Sequence, residues 1–153
     1  MESKGKKFLT VFLGVVVLLC LILAVFTFNF VEDHQMKYKS ETIGGYTFNI
    51  PEEFKLESED SSNNSYAKIY SNEQASLGIL VRKNINLSEK EILYQYNVSN
   101  YTNVKFSYLK GYKTEKYSFV NYYFKINNDL ILIDFINLKN TNILVEKILK
   151  NIS

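Results

Sequence analysis

SFVNYYFKINNDLILIDFI, Ser118–Ile136, is the stretch that decides the fold. Ser118, Val120, Tyr122, Phe124 and Ile126 recur at every second position, the period of a β-strand with one buried face. Asn127-Asn128-Asp129 interrupts the pattern and Leu130–Ile136 returns as a strand, so Asn128-Asp129 predicts a tight hairpin. One residue breaks the apolar return. Asp134 shares a face with Leu130, Leu132 and Ile136, while Ile131, Ile133 and Phe135 occupy the other. Either that face is partly exposed, or Asp134 is buried beside a partner such as a tyrosine or lysine, because an unpaired carboxylate is expensive to bury.

Toward the C-terminus, Leu144, Ile148 and Ile152 fall at i, i+4 and i+8 and are joined by Val145 and Leu149, which predicts an amphipathic helix capped by Asn142. Toward the N-terminus, Val104, Phe106 and Tyr108 alternate as a strand ending before Gly111. Ahead of them, Ser88 and Glu91 have the spacing of a capping box, with Leu87 and Ile92 as its hydrophobic staple; a helix from Glu89 to about Tyr96 follows. Tyr66–Tyr70 and Leu77–Val81 predict a hairpin joined by Ser71–Ala75. Tyr46, Phe48 and Ile50 predict a strand between the Gly44-Gly45 turn and Pro51, with a polar, acidic loop running on through Asn64. The order is three strands, a helix, three strands and a helix. It reads as α+β: an N-terminal transmembrane helix followed by a two-layer domain, residues 42–153, in which both helices pack on one face of an antiparallel sheet.

The transmembrane reading rests on Phe8–Phe30, 23 residues without a charge. At about 1.5 Å per residue such a helix reaches roughly 35 Å, enough for a hydrocarbon core of about 30 Å. Lys4, Lys6 and Lys7 precede it in the basic tail, residues 1–7, and Glu32 and Asp33 follow it in a polar stalk, residues 31–41. The positive-inside bias therefore places the tail in the cytoplasm and residues 42–153 outside, on a single-pass plasma-membrane anchor held by lipid. A cleaved signal peptide competes with this reading. Its apolar core usually spans only about 7–15 residues, and Ile22 stands where cleavage near Ala24 would want a small side chain. Cys20 follows Leu18 and Leu19 rather than the small residue that lipid attachment needs, so it reads as a buried apolar side chain.

The tail's lysines and Glu2 account for the whole formal charge of +2, leaving 15 basic and 15 acidic residues from Val31 onward. A balanced outer domain lacks the basic footprint that nucleic acid requires. It carries no cysteine, so packing rather than disulfides must hold it together. His34, the single histidine, lies in the stalk; histidine triads, cysteine nucleophiles and multi-histidine metal sites are thereby excluded from the folded domain, and no cofactor is implied. Glu52, Glu53, Glu57, Glu59 and Asp60 form an acidic cluster that reads as a solvated loop, with a calcium site as the alternative, although no calcium-loop spacing is present. Five Asn-x-Ser/Thr sequons begin at Asn63, Asn86, Asn97, Asn100 and Asn151, in a chain rich in asparagine throughout.

GYTFNIPEEF at Gly45–Phe54, AKIYSN at Ala67–Asn72, LGILV at Leu77–Val81, KGYK at Lys110–Lys113 as a turn, and ILVEKILKNI at Ile143–Ile152 give the chain a likeness to a known family. From Thr42 to Ser153 it resembles the PsbP-like domains, small extracytoplasmic or lumenal α/β sandwiches. The resemblance implies a membrane-tethered prokaryotic relative; photosystem binding is not carried over, since the matching residues speak to fold. The twelve tyrosines add a functional expectation. Pairs such as Tyr94 with Tyr96 and Tyr122 with Tyr123 cannot all enter one core, and exposed tyrosines offer a rigid amphipathic surface. Tyr108, Tyr117 and Tyr123 are the candidate interaction surface of a non-catalytic envelope domain that takes a protein or glycan partner. The opposing expectations are a carboxylate-dependent envelope enzyme and a pilin-like subunit. For the pilin, Lys6 and Lys7 separate Gly5 from the apolar run and Thr10 stands where the bacterial pattern has glutamate.

Overall fold

The computed structural model describes residues 36–152. The basic tail, the apolar run Phe8–Phe30 and the start of the stalk lie outside the described residues, among which no helix is long and apolar enough to cross a membrane. In chain order the elements are β1 (Tyr38–Ile43), β2 (Tyr46–Pro51), β3 (Lys55–Ser62), β4 (Ser65–Ser71), β5 (Ser76–Arg82), α1 (Glu89–Gln95), β6 (Thr102–Phe106), β7 (Leu109–Lys116), β8 (Phe119–Ile126), β9 (Asp129–Ile136) and α2 (Thr141–Ile148). β1 and β2 make a separate hairpin, and the other seven strands form one sheet in the order β3-β4-β5-β9-β8-β7-β6. All its neighbours are antiparallel.

The central hairpin is β8–β9, and its turn is Asn127–Asn128, one residue earlier than expected, with Ile126 opposite Asp129. β9 lies between β8 and β5, and along Leu130–Ile133 both of its faces are buried. Ile131, Ile133 and Phe135 are fully buried against the β1–β2 hairpin residues Phe48 and Ile50 and the α2 residues Val145 and Ile148. On the opposite face, Leu130 packs with Ile85 and with Ile92 of α1.

This arrangement corrects the expected α+β class. Strands take 54% of the described residues and helices only 13%, so the domain is mostly β. The two helices also lie on opposite faces of the sheet: α2 joins the Ile131/Ile133 side and α1 the Leu130 side. Three strand assignments explain the difference. Lys55–Ser62, expected as an acidic loop, is edge strand β3 with every residue exposed. A strand with no buried face has no reason to alternate, so periodicity is silent there. Its turn did carry a signal, because Asn63 and Asn64 both adopt positive φ, as the favoured two-residue hairpin turn demands. Tyr38–Glu41, assigned to the stalk, pairs with β2 across the Gly44-Gly45 turn, where φ is +57° and +84°. Lys110–Lys113 is part of β7 rather than a turn. Gly111 sits mid-strand because a Cβ there would lie 2.4 Å from the Tyr123 carbonyl oxygen and 2.5 Å from the Phe124 ring.

A polar cluster fixes the β1–β2 turn to the sheet. The Tyr46 hydroxyl donates to Asp129 Oδ2 at 2.7 Å, Lys83 Nζ meets the same oxygen at 2.6 Å, and the Asn84 amide donates to Oδ1 at 2.9 Å. Lys83 Nζ also lies 4.6 Å from the centre of the Tyr46 ring. Burial works to raise the Asp129 pKa, but Lys83, the Asn84 amide and Tyr46 together hold it below the usual carboxylate range. The same carboxylate, with burial as the larger cause, pushes Tyr46 up to about 12.

Asp129→Ala should lower unfolding free energy by about 2–4 kcal/mol at pH 7, because it strands a partly buried lysine and tyrosine; Tyr46→Phe should cost about 1 kcal/mol. A depressed acid contributes stability above its unfolded pKa and loses it as pH falls through the folded value, so the gap between Asp129→Ala and parent should shrink below about pH 4. Urea unfolding at neutral and acid pH measures both, and a gap that does not shrink in acid contradicts the assignment.

Candidate interaction surface

The face of the sheet opposite α2 and the β1–β2 hairpin is graded in cover. Cross-strand register sets Ala67, Leu80, Leu132, Tyr123, Tyr112 and Asn103 in one row, and Ile69, Gly78, Asp134, Asn121 and Thr114 in the next. A third row runs Ser71, Ser76, Ile136, Phe119 and Lys116. α1 shelters the Leu130 end through Ile92, with Leu87 and Tyr96 packed at its margin. Farther from the helix the face opens. Leu80, Asp134 and Ile136 are half-buried, and Ile69 and Phe119 are exposed.

Tyrosines gather where the helix meets the sheet. Tyr96 stands edge-on to Tyr123 with centroids 5.6 Å apart, Tyr123 lies opposite Tyr112, and Tyr101 meets Tyr112 edge-on at 5.0 Å. Tyr94, 87% exposed, projects from the same helix. Polar bonds fix the group: Arg82 Nη1 donates to the Tyr96 hydroxyl at 3.3 Å, and the Tyr112 hydroxyl donates to Glu89. The Glu89 carboxylate, with burial second, pushes Tyr112 up to about 12. α1 holds this position through the expected capping box, in which Ser88 receives the Glu91 amide and Glu91 receives the Ser88 amide. Edge-on ring pairs favour this assembly beyond the area they bury.

The sequence-derived trio does not come together. Tyr108, 64% exposed, sits in the β6–β7 turn and donates to the Ile152 carbonyl. Tyr117, 95% exposed, occupies the β7–β8 turn at φ +58°. These two turns stand at opposite ends of β7, roughly 25 Å apart at about 3.3 Å per residue. Tyr123 alone lies on the face described above, and it is buried. The cluster that does form, Tyr96, Tyr101, Tyr112 and Tyr123, was partly legible in the Tyr94/Tyr96 pair. Tyr112 was hidden by the reading of Lys110–Lys113 as a turn.

Asp134 is half-buried, and its carboxyl makes no hydrogen bond or ion pair among the described residues. Its cross-strand neighbours are Gly78 and Asn121, and the Asn121 amide donates to Thr114 Oγ1 at 3.3 Å instead. Burial alone raises the Asp134 carboxyl to about 6. Burial first, then the Asp134 charge, raises Tyr123 in turn. Both alternatives for Asp134 were thus half met: the face is partly open, yet the carboxyl sits deep enough to be desolvated without the expected partner.

The acidic cluster takes a different course. Glu59 pairs with Lys68 at 3.6 Å and Glu57 accepts from Ser71, while Lys68 also bridges to Glu41 at 3.1 Å. Among the described residues no three ligating side chains converge as a metal site. A cavity of about 410 Å³ lies between Gly44, Glu59, Asp60, Tyr66 and Lys68, and one of about 510 Å³ lies beside Tyr117 and Thr141. Neither of these two is lined by Asp134 or by the tyrosine cluster.

Asp134→Asn should raise stability at pH 8 by up to about 3 kcal/mol, since it removes a desolvated charge with no partner. The sign is opposite to that of Asp129: an acid whose folded pKa is raised favours the native state when protonated, so the parent should lose stability as pH rises from about 4 to 6, and the variant should not. Thermal unfolding across that range reports it, and a variant less stable than the parent at pH 8 would reveal a partner for the carboxylate.

Comparison with protein-family models and with curated proteins gave no match to this chain, so its function has to be argued from this surface.

Proposed function

We propose that this chain is a membrane-anchored, extracytoplasmic interaction domain that engages a protein partner at the cell envelope through the open face of its seven-stranded sheet. The observation that carries the reading is the association, on one face, of a fixed tyrosine cluster with exposed Ile69 and Phe119 around an unpartnered carboxyl. Monomeric proteins bury such rings or scatter them; contiguous aromatic and aliphatic groups with a polar margin mark contact surfaces. The polar bonds from Arg82 and Glu89 hold Tyr96 and Tyr112 in place before a partner arrives, which limits the side-chain entropy lost on binding. The anchor and the outward orientation enter from the charge pattern around Phe8–Phe30, and kinship with PsbP-like domains enters from the quoted motifs.

Two measurements test the proposal. Protease added to intact cells should remove a C-terminal tag and spare an N-terminal one; protection of the C-terminal tag reverses the orientation. A photocrosslinking side chain placed at Tyr94, Tyr101 or Phe119 in intact cells should give a discrete adduct, whereas the same group at Ile143, exposed on α2 at the other side, should not. Equal adducts from Ile143, or none from the sheet face, would sink the assignment of the surface.

A further inference from the structure

We propose that Asp134 is the receptor for a basic side chain of the protein partner: a lysine or arginine whose aliphatic stem crosses the rim of Ile69, Ile136 and Phe119 and whose charged head pairs with the carboxylate. This rests on the reading of the open sheet face as a contact surface. Three observations carry it. First, the carboxyl has no hydrogen-bond or ion-pair partner among the described residues, while burial penalises its charge. Second, the neighbouring strand offers Gly78 at the adjacent position, leaving the approach to the carboxyl uncovered; even a methyl group there would touch Asp134 Cβ and Oδ2 at 3.5 Å. Third, Ile69, Ile136 and Phe119 give one side of the carboxyl an apolar rim, matching the stem of a long basic side chain, while Asn121, Thr114 and Ser76 make the rest of the surroundings polar.

The charged and titratable groups of the adjoining elements leave this role open. On β5, Arg82 turns to the Tyr96 hydroxyl. On β8, Lys125 Nζ donates to the Leu87 carbonyl at 2.6 Å, and Tyr123 is neutral at physiological pH, as any tyrosine with a pKa at or above the ordinary value is. On β7, Tyr112 is bonded to Glu89 of α1, and Lys116 lies over the Tyr117 ring at 5.8 Å. Lys110 shares this face at the far end of β7, one residue beyond the Gly111–Phe124 pair. β4 contributes only Ser65, Ala67, Ile69 and Ser71 to this face. None of these charges contributes to the Asp134 titration, which burial alone displaces. A partner's cation would relieve that penalty, and a partner with an acidic or purely apolar contact would not.

The test uses the full chain in lipid nanodiscs and a displayed library of random dodecapeptides, selected at pH 7.5. Peptides retained by the parent should carry lysine or arginine among apolar residues, and replacing that residue by norleucine should weaken binding at least tenfold. Asp134→Asn should lose them while unfolding cooperatively, and Gly78→Leu, which covers the carboxylate without removing it, should lose them too. Binding should fall about tenfold between pH 7.5 and pH 5 as the carboxyl takes up its proton. Peptides held equally by Asp134→Asn but lost on Tyr101→Ala or Phe119→Ser would overturn the role of Asp134 and leave the contact surface standing. Binding that strengthens in acid, or selection of acidic peptides by Lys110 and Lys116, would also overturn it. Retention unaffected by every one of these substitutions would overturn both readings.

Discussion

Strand β9 is dry on both sides from Leu130 to Ile133, and the rest of the domain is organised around that constraint. Ile131, Ile133 and Phe135 on one face and Leu130 on the other are at most 1% exposed. No single layer can cover both sets, since alternate side chains point in opposite directions. The β1–β2 hairpin and α2 cover one side, and α1 covers part of the other. The incomplete second cover is what leaves a face open.

The two aspartates of β9 show how position within one strand sets opposite chemistry. Asp129, at the hairpin, is met by a lysine, a backbone amide and a tyrosine, and its carboxyl is held low. Asp134, five residues on, faces a glycine and an amide engaged elsewhere, and its carboxyl is pushed up. The first is a structural tie between the β1–β2 turn, the end of β5 and the central hairpin. The second is penalised by burial whenever it is charged, so its position on the strand works against the ionised form rather than for it.

Charge is also sorted across the sheet, although the outer domain is formally balanced. Glu57, Glu59 and Asp60 lie on edge strand β3, and Lys105 lies on edge strand β6 with Lys110 opposite it on β7. Edges that carry charge resist pairing with the strands of other molecules.

The sequence by itself determined the central hairpin, the capping box of α1, the amphipathic character of the terminal helix and the division of β9 into two faces, because each depends on neighbours a few residues apart. It also isolated Asp134 as the exception in an apolar strand. It could not mark β3, where an edge strand with no buried side needs no pattern, nor tell Gly111 in a strand from a glycine in a turn, since that distinction lies in the Tyr123 carbonyl and Phe124 ring packed against it. Tertiary structure alone decided that the helices lie on opposite faces. It also brought Tyr96, Tyr101, Tyr112 and Tyr123 together while separating Tyr108 and Tyr117 along β7. Such contacts are set by strand order and register, which join residues far apart in the chain and leave no local period to read.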